Sequence, residues 1–446
     1  MSETTRNALY FALVAVLLIG TAIFQSANTA LFILNMGLIS AIMALGVNLQ
    51  WGFSGLFNVG VMGFVALGGL AVALTSMPPA PGAWASSGGP MIVLALAFGA
   101  ATVALAVYVQ KKMAAGRAKV LATVGILVVG FFIYRAIFDP AVGFVEAINP
   151  ANAGNIGGLN PGGVENFKAH GYMTILGWGF GGLLAAGAAW VIGKTALGLR
   201  SDYLAIATLG IAEIIIAVMK NEDWLARGVK NIIGMPRPVP YEIDLQNSES
   251  FVANANAIGI DPVTASTLWV KLGYSVLFTI VLVAIFLMAQ AALKSPWGRM
   301  MRAIRDNEVA AEAMGKDVTN RHLQIFILGS AVCGIAGAMM TTLDSQLTPG
   351  SYQPLRFTFL IWVMVIVGGS GNNLGAVLGG FVIWFFWVQV EPIGLWLMQL
   401  ITSGMAEGSA LKSHLIDSAA HMRLLTMGLI LLLVLRFSPR GLIPEK

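Results

Sequence analysis

The chain has 446 residues, of which 57% are hydrophobic and 11% charged, with a formal charge of +5 and a mean hydropathy of +0.80. That balance describes one polytopic membrane domain over residues 1–446, and the basic residues are spread over loops too short for a nucleic-acid module, so no nucleic-acid partner is expected. Cys333 is the one cysteine, which excludes an internal disulfide and a multi-cysteine metal site; it reads as a small packing residue.

Apolar runs of spanning or near-spanning length fall at 8–24, 30–49, 56–76, 90–109, 120–138, 172–193, 203–219, 270–293, 323–343, 355–368, 373–391 and 423–436. They predict an all-α protein with roughly ten to twelve transmembrane helices, packed in lipid. The run at 355–368 is short enough to be re-entrant, and 393–403 reads as an interfacial segment or part of another span. Arg6 and the first run have the outline of a signal peptide, but no cleavage pattern follows Ser26 and Asn28, which favours an uncleaved helix.

Between the second and third runs, Asn48, Gln50, Trp51, Ser54 and Asn58 interrupt the apolar pattern. Polar groups at membrane depth face protein or a water-filled cavity, or else mark a simple turn between spans. The Asn/Gly-rich loop at 139–171 reads as a flexible surface connection. Gly187–Thr195, GAAWVIGKT, resembles a phosphate-binding loop, but five residues separate its glycines and it ends an apolar helix; a P-loop needs four and a preceding strand, so no ATPase site is present.

Glu213 is the one acid deep within a predicted span. A charge there costs roughly 2.5 to 3.5 kcal/mol on insertion scales, so it must face protein or water, or be neutralised. Asp202, at the start of the same helix, reads as a cap. The loop at 220–269 is acidic and carries a rigid GMPRPVP that suits packing over an outer mouth.

Residues 294–322 form a charged stretch between apolar spans. Asp306 or Asn307 can cap a short helix, Glu308 suits its first turn, Ala310, Ala311 and Ala313 leave one flank without bulk, Glu312 lies between them, and Gly315 suits the C-terminus. Arg299, Arg302 and Arg305 precede that helix. An alanine-rich flank of this kind suits the cleft of another protein, so the segment reads as a docking element. Small residues recur four apart at Gly329, Cys333 and Gly337 on one helix and at Gly371, Gly375 and Gly379 on another, faces that let helices approach closely. The histidines at 170, 322, 414 and 421 are scattered, so neither metal ligation nor nucleophilic catalysis has a constellation behind it. With both termini inside, Arg6, the 111–119 cluster, Lys194, Arg200, residues 294–322, Arg436, Arg440 and Lys446 all fall in the cytoplasm; 139–171 and 220–269 fall outside.

Five segments together resemble the membrane permease of branched-chain amino acid ABC importers, the LivM type: Ala44–Gly60, Ser201–Ile215, Gly298–Gly315, Val367–Gly380 and Leu435–Ile443. The resemblance implies an ABC importer permease fold in a bacterial inner membrane. It implies that Gly298–Gly315 is the coupling loop seated on a cytoplasmic ATPase. It also implies a second, related permease, two ATPase subunits that use the ATP, and an extracytoplasmic solute-binding protein. No cofactor is expected on this chain. The solute path is then expected between the two permeases, with Asn48, Gln50, Trp51, Ser54, Asn58 and Glu213 as candidates to line it. The chain departs from the family pattern after Asn58 (Gly60, Val61, Met62, Gly63), at Arg227–Ile232 and at Asn372–Asn373, and the spans near 90–138 look additional. A branched-chain or other apolar amino acid leads as the solute, with urea or short amides behind it. An ion-coupled secondary transporter and an integral membrane enzyme are the competing classes; one intramembrane acid and no convergent polar cluster support neither well.

Overall fold

A computed structural model describes residues 2–148, 156–160, 171–405 and 409–445. Most of the Asn/Gly-rich loop, His170 and Lys446 lie outside the described residues. The chain is almost wholly helical, as its apolar periodicity predicts. In order, the helices are α1 (Glu3–Phe24), α2 (Ala27–Val47), α3 (Val61–Ser76), α4 (Pro81–Ala85), α5 (Gly88–Lys112), α6 (Arg117–Ala147), α7 (Tyr172–Ala196), α8 (Ser201–Asn221) and α9 (Asp223–Ala226). They continue with α10 (Glu242–Gln246), α11 (Glu249–Ala257), α12 (Pro262–Lys294), α13 (Pro296–Asp306), α14 (Glu308–Ala313), α15 (Val318–Asp344), α16 (Pro354–Gly368), α17 (Asn373–Ile401), α18 (Ala410–Ser418) and α19 (Met422–Phe437).

Among the described residues nine helices are long and apolar enough to cross a membrane, or ten if the bent pair α18–α19 is one span. Two shorter apolar helices, α3 and α16, join them. Of the two readings of 393–403, the structure matches the second: residues 393–401 continue α17 through Pro392. The α8 boundary also differs in detail, since Arg200 holds the cap position and Asp202 sits in the first turn. The 139–171 connection is shorter than predicted, because α6 runs on to Ala147, and Gly157 bridges back to Pro79.

The core lies where α2, α3, α15, α16 and α17 meet, and the other long helices pack around them. Glycine explains that density, because lipid supplies no hydrophobic drive between helices and close backbone approach must do so. A Cβ at Gly337 would fall on the carbonyl of Val65 in α3, one at Gly379 on the carbonyl of Met364 in α16, and one at Gly329 within 2.6 Å of the Gly46 carbonyl in α2. Cys333, 1% exposed, packs against the same Gly46. Gly375 approaches the Gly368 carbonyl at the α16–α17 turn, 2.7 Å from where its Cβ would stand. Gly371 departs from the predicted stripe: it precedes α17, at φ 79°, as a turn residue that needs the left-handed conformation.

The α5–α6 hairpin keeps a small core of its own, where Ile92, Ala95, Phe138, Ala141 and Val145 close on Trp224 of α9. At the same end β1 (Ile232–Ile233) pairs antiparallel with β2 (Gln346–Leu347), in the register Ile232↔Leu347. This two-stranded clip holds the 222–261 segment on the end of α15. The GMPRPVP stretch packs there as well: Met235 is buried, and Arg237 donates to Glu242 and to Ser345, each at 2.8 Å.

Candidate functional site

Three regions gather polar side chains, and the first is a break between α2 and α3. The end of α2 widens into a π turn at Asn48–Gly52, residues 55–60 have no regular structure, and α3 starts at Val61, not at 56. At 16 residues, α3 is about 24 Å long at 1.5 Å per residue, short of the roughly 30 Å hydrocarbon core of a bilayer. Unwound backbone at this depth needs partners for its N–H and C=O groups.

Side chains of the break itself and of α8 and α16 supply them, while α15 and α17 hold the side chains of Gln50 and Asn48. Gln50 donates to the Phe326 carbonyl (2.9 Å) and the Ser330 hydroxyl (3.0 Å) of α15, and accepts from Asn58 Nδ2 (2.9 Å). Asn58 Oδ1 accepts from the Gly60 N–H at 2.9 Å, and the Ser54 hydroxyl donates to the Gln50 carbonyl. Thr208 of α8 accepts from the Val59 N–H (3.1 Å), and Thr358 of α16 from the Met62 N–H (3.3 Å). Asn48 accepts from the Gly371 N–H at 2.9 Å and donates to Asn373 at 3.1 Å, tying the break to the start of α17. Trp362 of α16 donates to the Asn58 carbonyl at 3.1 Å, its ring 4.7 Å from those of Trp51 and Phe57. Asn48, Gln50, Ser54 and Asn58 are at most 3% exposed, while Trp51 is half-buried. The polar set therefore satisfies the break from within the bundle.

Glu213 is not brought to that set. It lies exposed on α8, in a groove of about 830 Å³ bounded by α8, α16, α17 and α19. Lys220, Tyr352, Glu391, His421 and Arg423 supply the other charged or titratable groups, over an apolar floor that includes Phe359, Trp387 and Met427. Arg423 pairs with Glu391 and stands 4.9 Å over the Trp387 ring. In the wall of the groove, the Tyr352 hydroxyl shares a hydrogen bond with Thr341 at 2.8 Å, and burial pushes its phenol up from the usual range. Glu213 was legible in the sequence and its neighbours were not, since only Lys220 shares its helix, while Glu391 and Arg423 come from α17 and α19 and His421 directly precedes α19.

The third region is the charged stretch 294–322, which forms two helices where one was expected. Arg299, Arg302 and Arg305 precede α14 as expected, but they do so within a helix of their own, α13, started by Pro296 and seated on the bundle through Met301 and Ile304, both at most 1% exposed. The three-residue spacing of the arginines turns the polar side of α13 into one basic face. Asn307 ends α13 and caps α14, its Oδ1 accepting from the Ala310 N–H at 3.0 Å. Glu308 occupies the first turn of α14 and Gly315 follows the helix at φ 75°. Ala310 and Glu312 are exposed and Ala311 half-buried. Val309 and Met314, which composition did not single out, stand 76% and 80% exposed.

Not all of the arginines face outward. Arg302 donates to the Leu293 carbonyl at 3.3 Å. Arg305 reaches the Gly52 carbonyl and Glu445, the latter at 2.8 Å, and pairs with Asp306. Burial works against its charge, but the two carboxylates more than offset it and raise its pKa. With Arg299, Arg302 and Arg440 it lines a cleft of about 800 Å³ at this end of the bundle. Among the described residues no group of His, Cys, Asp or Glu converges to hold a metal.

A many-span helical bundle with a break between α2 and α3 and a short exposed helix at its basic end is the architecture of a multi-pass membrane protein. The family described as "Branched-chain amino acid transport system / permease component" matches residues 29–154 and 158–435, and the chain belongs to it. The permease protein LivM of the high-affinity branched-chain amino acid transport system of Salmonella typhimurium is 27% identical over 221 residues, 48% of this chain and 50% of that protein. A probable LivM of Methanocaldococcus jannaschii is 28% identical over 248 residues, 56% of this chain and 61% of that protein. The fructose import permease FrcC of Rhizobium meliloti is 26% identical over 105 residues, 23% of this chain and 29% of that protein. The chain thus spans about half the length of the curated relatives it matches. No solved structure matches it.

Proposed function

We propose that this chain is the translocation subunit of an ATP-driven importer, working by alternating access against a second, related permease. Helix α14 carries the reading. It is capped at both ends, buries none of its residues, and lies where the basic residues collect, which suits insertion into a cleft of an ATPase. Two such ATPases hydrolyse the ATP, this chain catalyses no reaction and binds no cofactor, and an extracytoplasmic binding protein delivers the solute. The membrane is a bacterial inner membrane with both termini cytoplasmic, since that places α14 and the arginines of α13 inside.

The groove that holds Glu213 faces the second permease in this scheme. Its paired charges and apolar floor give a half-path suited to a zwitterion with an apolar side chain, and branched-chain or other apolar amino acids lead as the solute. The test is purification of the tagged chain, gently solubilised, with partners identified by mass spectrometry and the associated binding protein titrated calorimetrically against leucine, urea and short amides. Recovery of ATPases and a second permease, with leucine binding, is expected. A chain that purifies alone and transports under an ion gradient refutes the reading.

A further inference from the structure

We infer that Arg305 is a positioning residue that ties the break between α2 and α3 to helix α13 and to the C-terminal tail, so that movement of α13 is transmitted to the break. Three segments far apart in sequence meet on this one guanidinium. Nη1 donates both to the carbonyl of Gly52, the last residue of the π turn, and to the carboxylate of Glu445. Nε and Nη2 bind Asp306, the last residue of α13 before the cap of α14.

Each end of the link is itself anchored. The tail is fixed beside the α16–α17 turn, where the Leu442 and Ile443 N–H groups donate to the Val367 and Gly368 carbonyls at 2.9 Å, and Asn372 donates to the Pro444 carbonyl at 3.1 Å. On the other side, the π turn is held through Asn48, which accepts from Gly371 in the same α16–α17 turn. Gly371 leaves room for the junction: a Cβ there would stand 2.5 Å from Glu445 Oε2 and 3.3 Å from Arg305 Nη1. Arg305 therefore points away from α14 and into the bundle. A planar fork of donors can hold a carbonyl and two carboxylates together; a lysine ammonium has no such fork. The Gly52 carbonyl belongs to a widened turn, whose backbone groups need outside partners, so withdrawal of Arg305 frees the turn to rewind or open.

The inference rests on the proposed importer reading, and the experiment has two arms that fail separately. In the first, wild type, Arg305→Lys, Arg305→Gln and Glu445→Gln chains are reconstituted with the co-purified partners, and solute uptake and ATP hydrolysis are measured together. Arg305→Gln is expected to keep the ATPases bound and hydrolysing while uptake per ATP falls about tenfold, within the range of ordinary coupling free energies. Arg305→Lys falls between, and Glu445→Gln, which spares the Gly52 bond, less. Loss of bound ATPases would make Arg305 a docking contact, and unchanged uptake per ATP would remove its role; either overturns the inference.

The second arm needs no partner. Cys333 is buried, so cysteines placed at Phe57 and Val309, 38% and 76% exposed, can be spin-labelled selectively in the full chain in nanodiscs. A narrow distance distribution that broadens in Arg305→Gln is expected. Identical distributions refute the link even if the importer reading holds, while absence of ATPases in wild type refutes that reading and leaves this arm intact.

Discussion

Gln50→Leu probes the break most directly, because leucine fills nearly the same volume without polar atoms. The substitution deletes two donations to α15 and one acceptance from Asn58. Interhelical hydrogen bonds in membranes average about 0.6 kcal/mol, with a maximum near 1.7. The α15 partners are not stranded: the Phe326 carbonyl lies within a helical ladder, and Ser330 can turn its hydroxyl back to that carbonyl. Asn58 Nδ2 is stranded, in a side chain 1% exposed, and an unsatisfied buried donor costs about 1–3 kcal/mol. The expected destabilisation is about 2–5 kcal/mol in total. Titration of the purified protein with SDS in mixed micelles measures it, with tryptophan fluorescence reporting on Trp51 and Trp362 beside the break. Gln50→Leu combined with Asn58→Leu removes the stranded amide and recovers about 1–2 kcal/mol relative to the sum of the single changes. A Gln50→Leu protein within about 0.5 kcal/mol of wild type, or strict additivity in the pair, refutes the account of the break as a satisfied polar network.

Gly315→Pro cannot adopt the φ of 75° seen at that position, and Glu312→Lys reverses a charge on the exposed side of α14; both are expected to leave membrane insertion intact and cut ATPase coupling about tenfold. Full coupling in either variant makes the docking assignment wrong. Glu213→Gln is expected to lower uptake severalfold at unchanged expression, and normal uptake would leave Glu213 a structural residue. Gly337→Val forces α3 and α15 apart at the Val65 carbonyl and is expected to destabilise the bundle by about 1–3 kcal/mol, read as a lowered thermal midpoint in detergent. An unchanged midpoint would show that the close approach contributes nothing.

Composition and apolar periodicity were enough to establish an all-α membrane protein and to place most of its spans, because lipid admits few backbone solutions and a helix satisfies its own hydrogen bonds. The cap residues of α14 and the glycine stripes on α15 and α17 were also legible, since caps and close helix contacts are local requirements on residue type. Asn48, Gln50, Ser54 and Asn58 were visible as a polar interruption, but whether they line a path or hold a turn depends on Phe326, Ser330, Gly371 and Asn373, all more than 270 positions away. For the same reason the late start of α3, the inward turn of Arg305 toward Gly52 and Glu445, and the charges gathered around Glu213 were beyond reach of pattern. Sequence by itself determined what the chain does with lipid, which is set residue by residue through hydrophobicity. Tertiary structure alone decided which polar groups face one another, because a buried donor is satisfied by whatever acceptor packing brings within about 3 Å, and periodicity along one helix carries no information about the helix across from it.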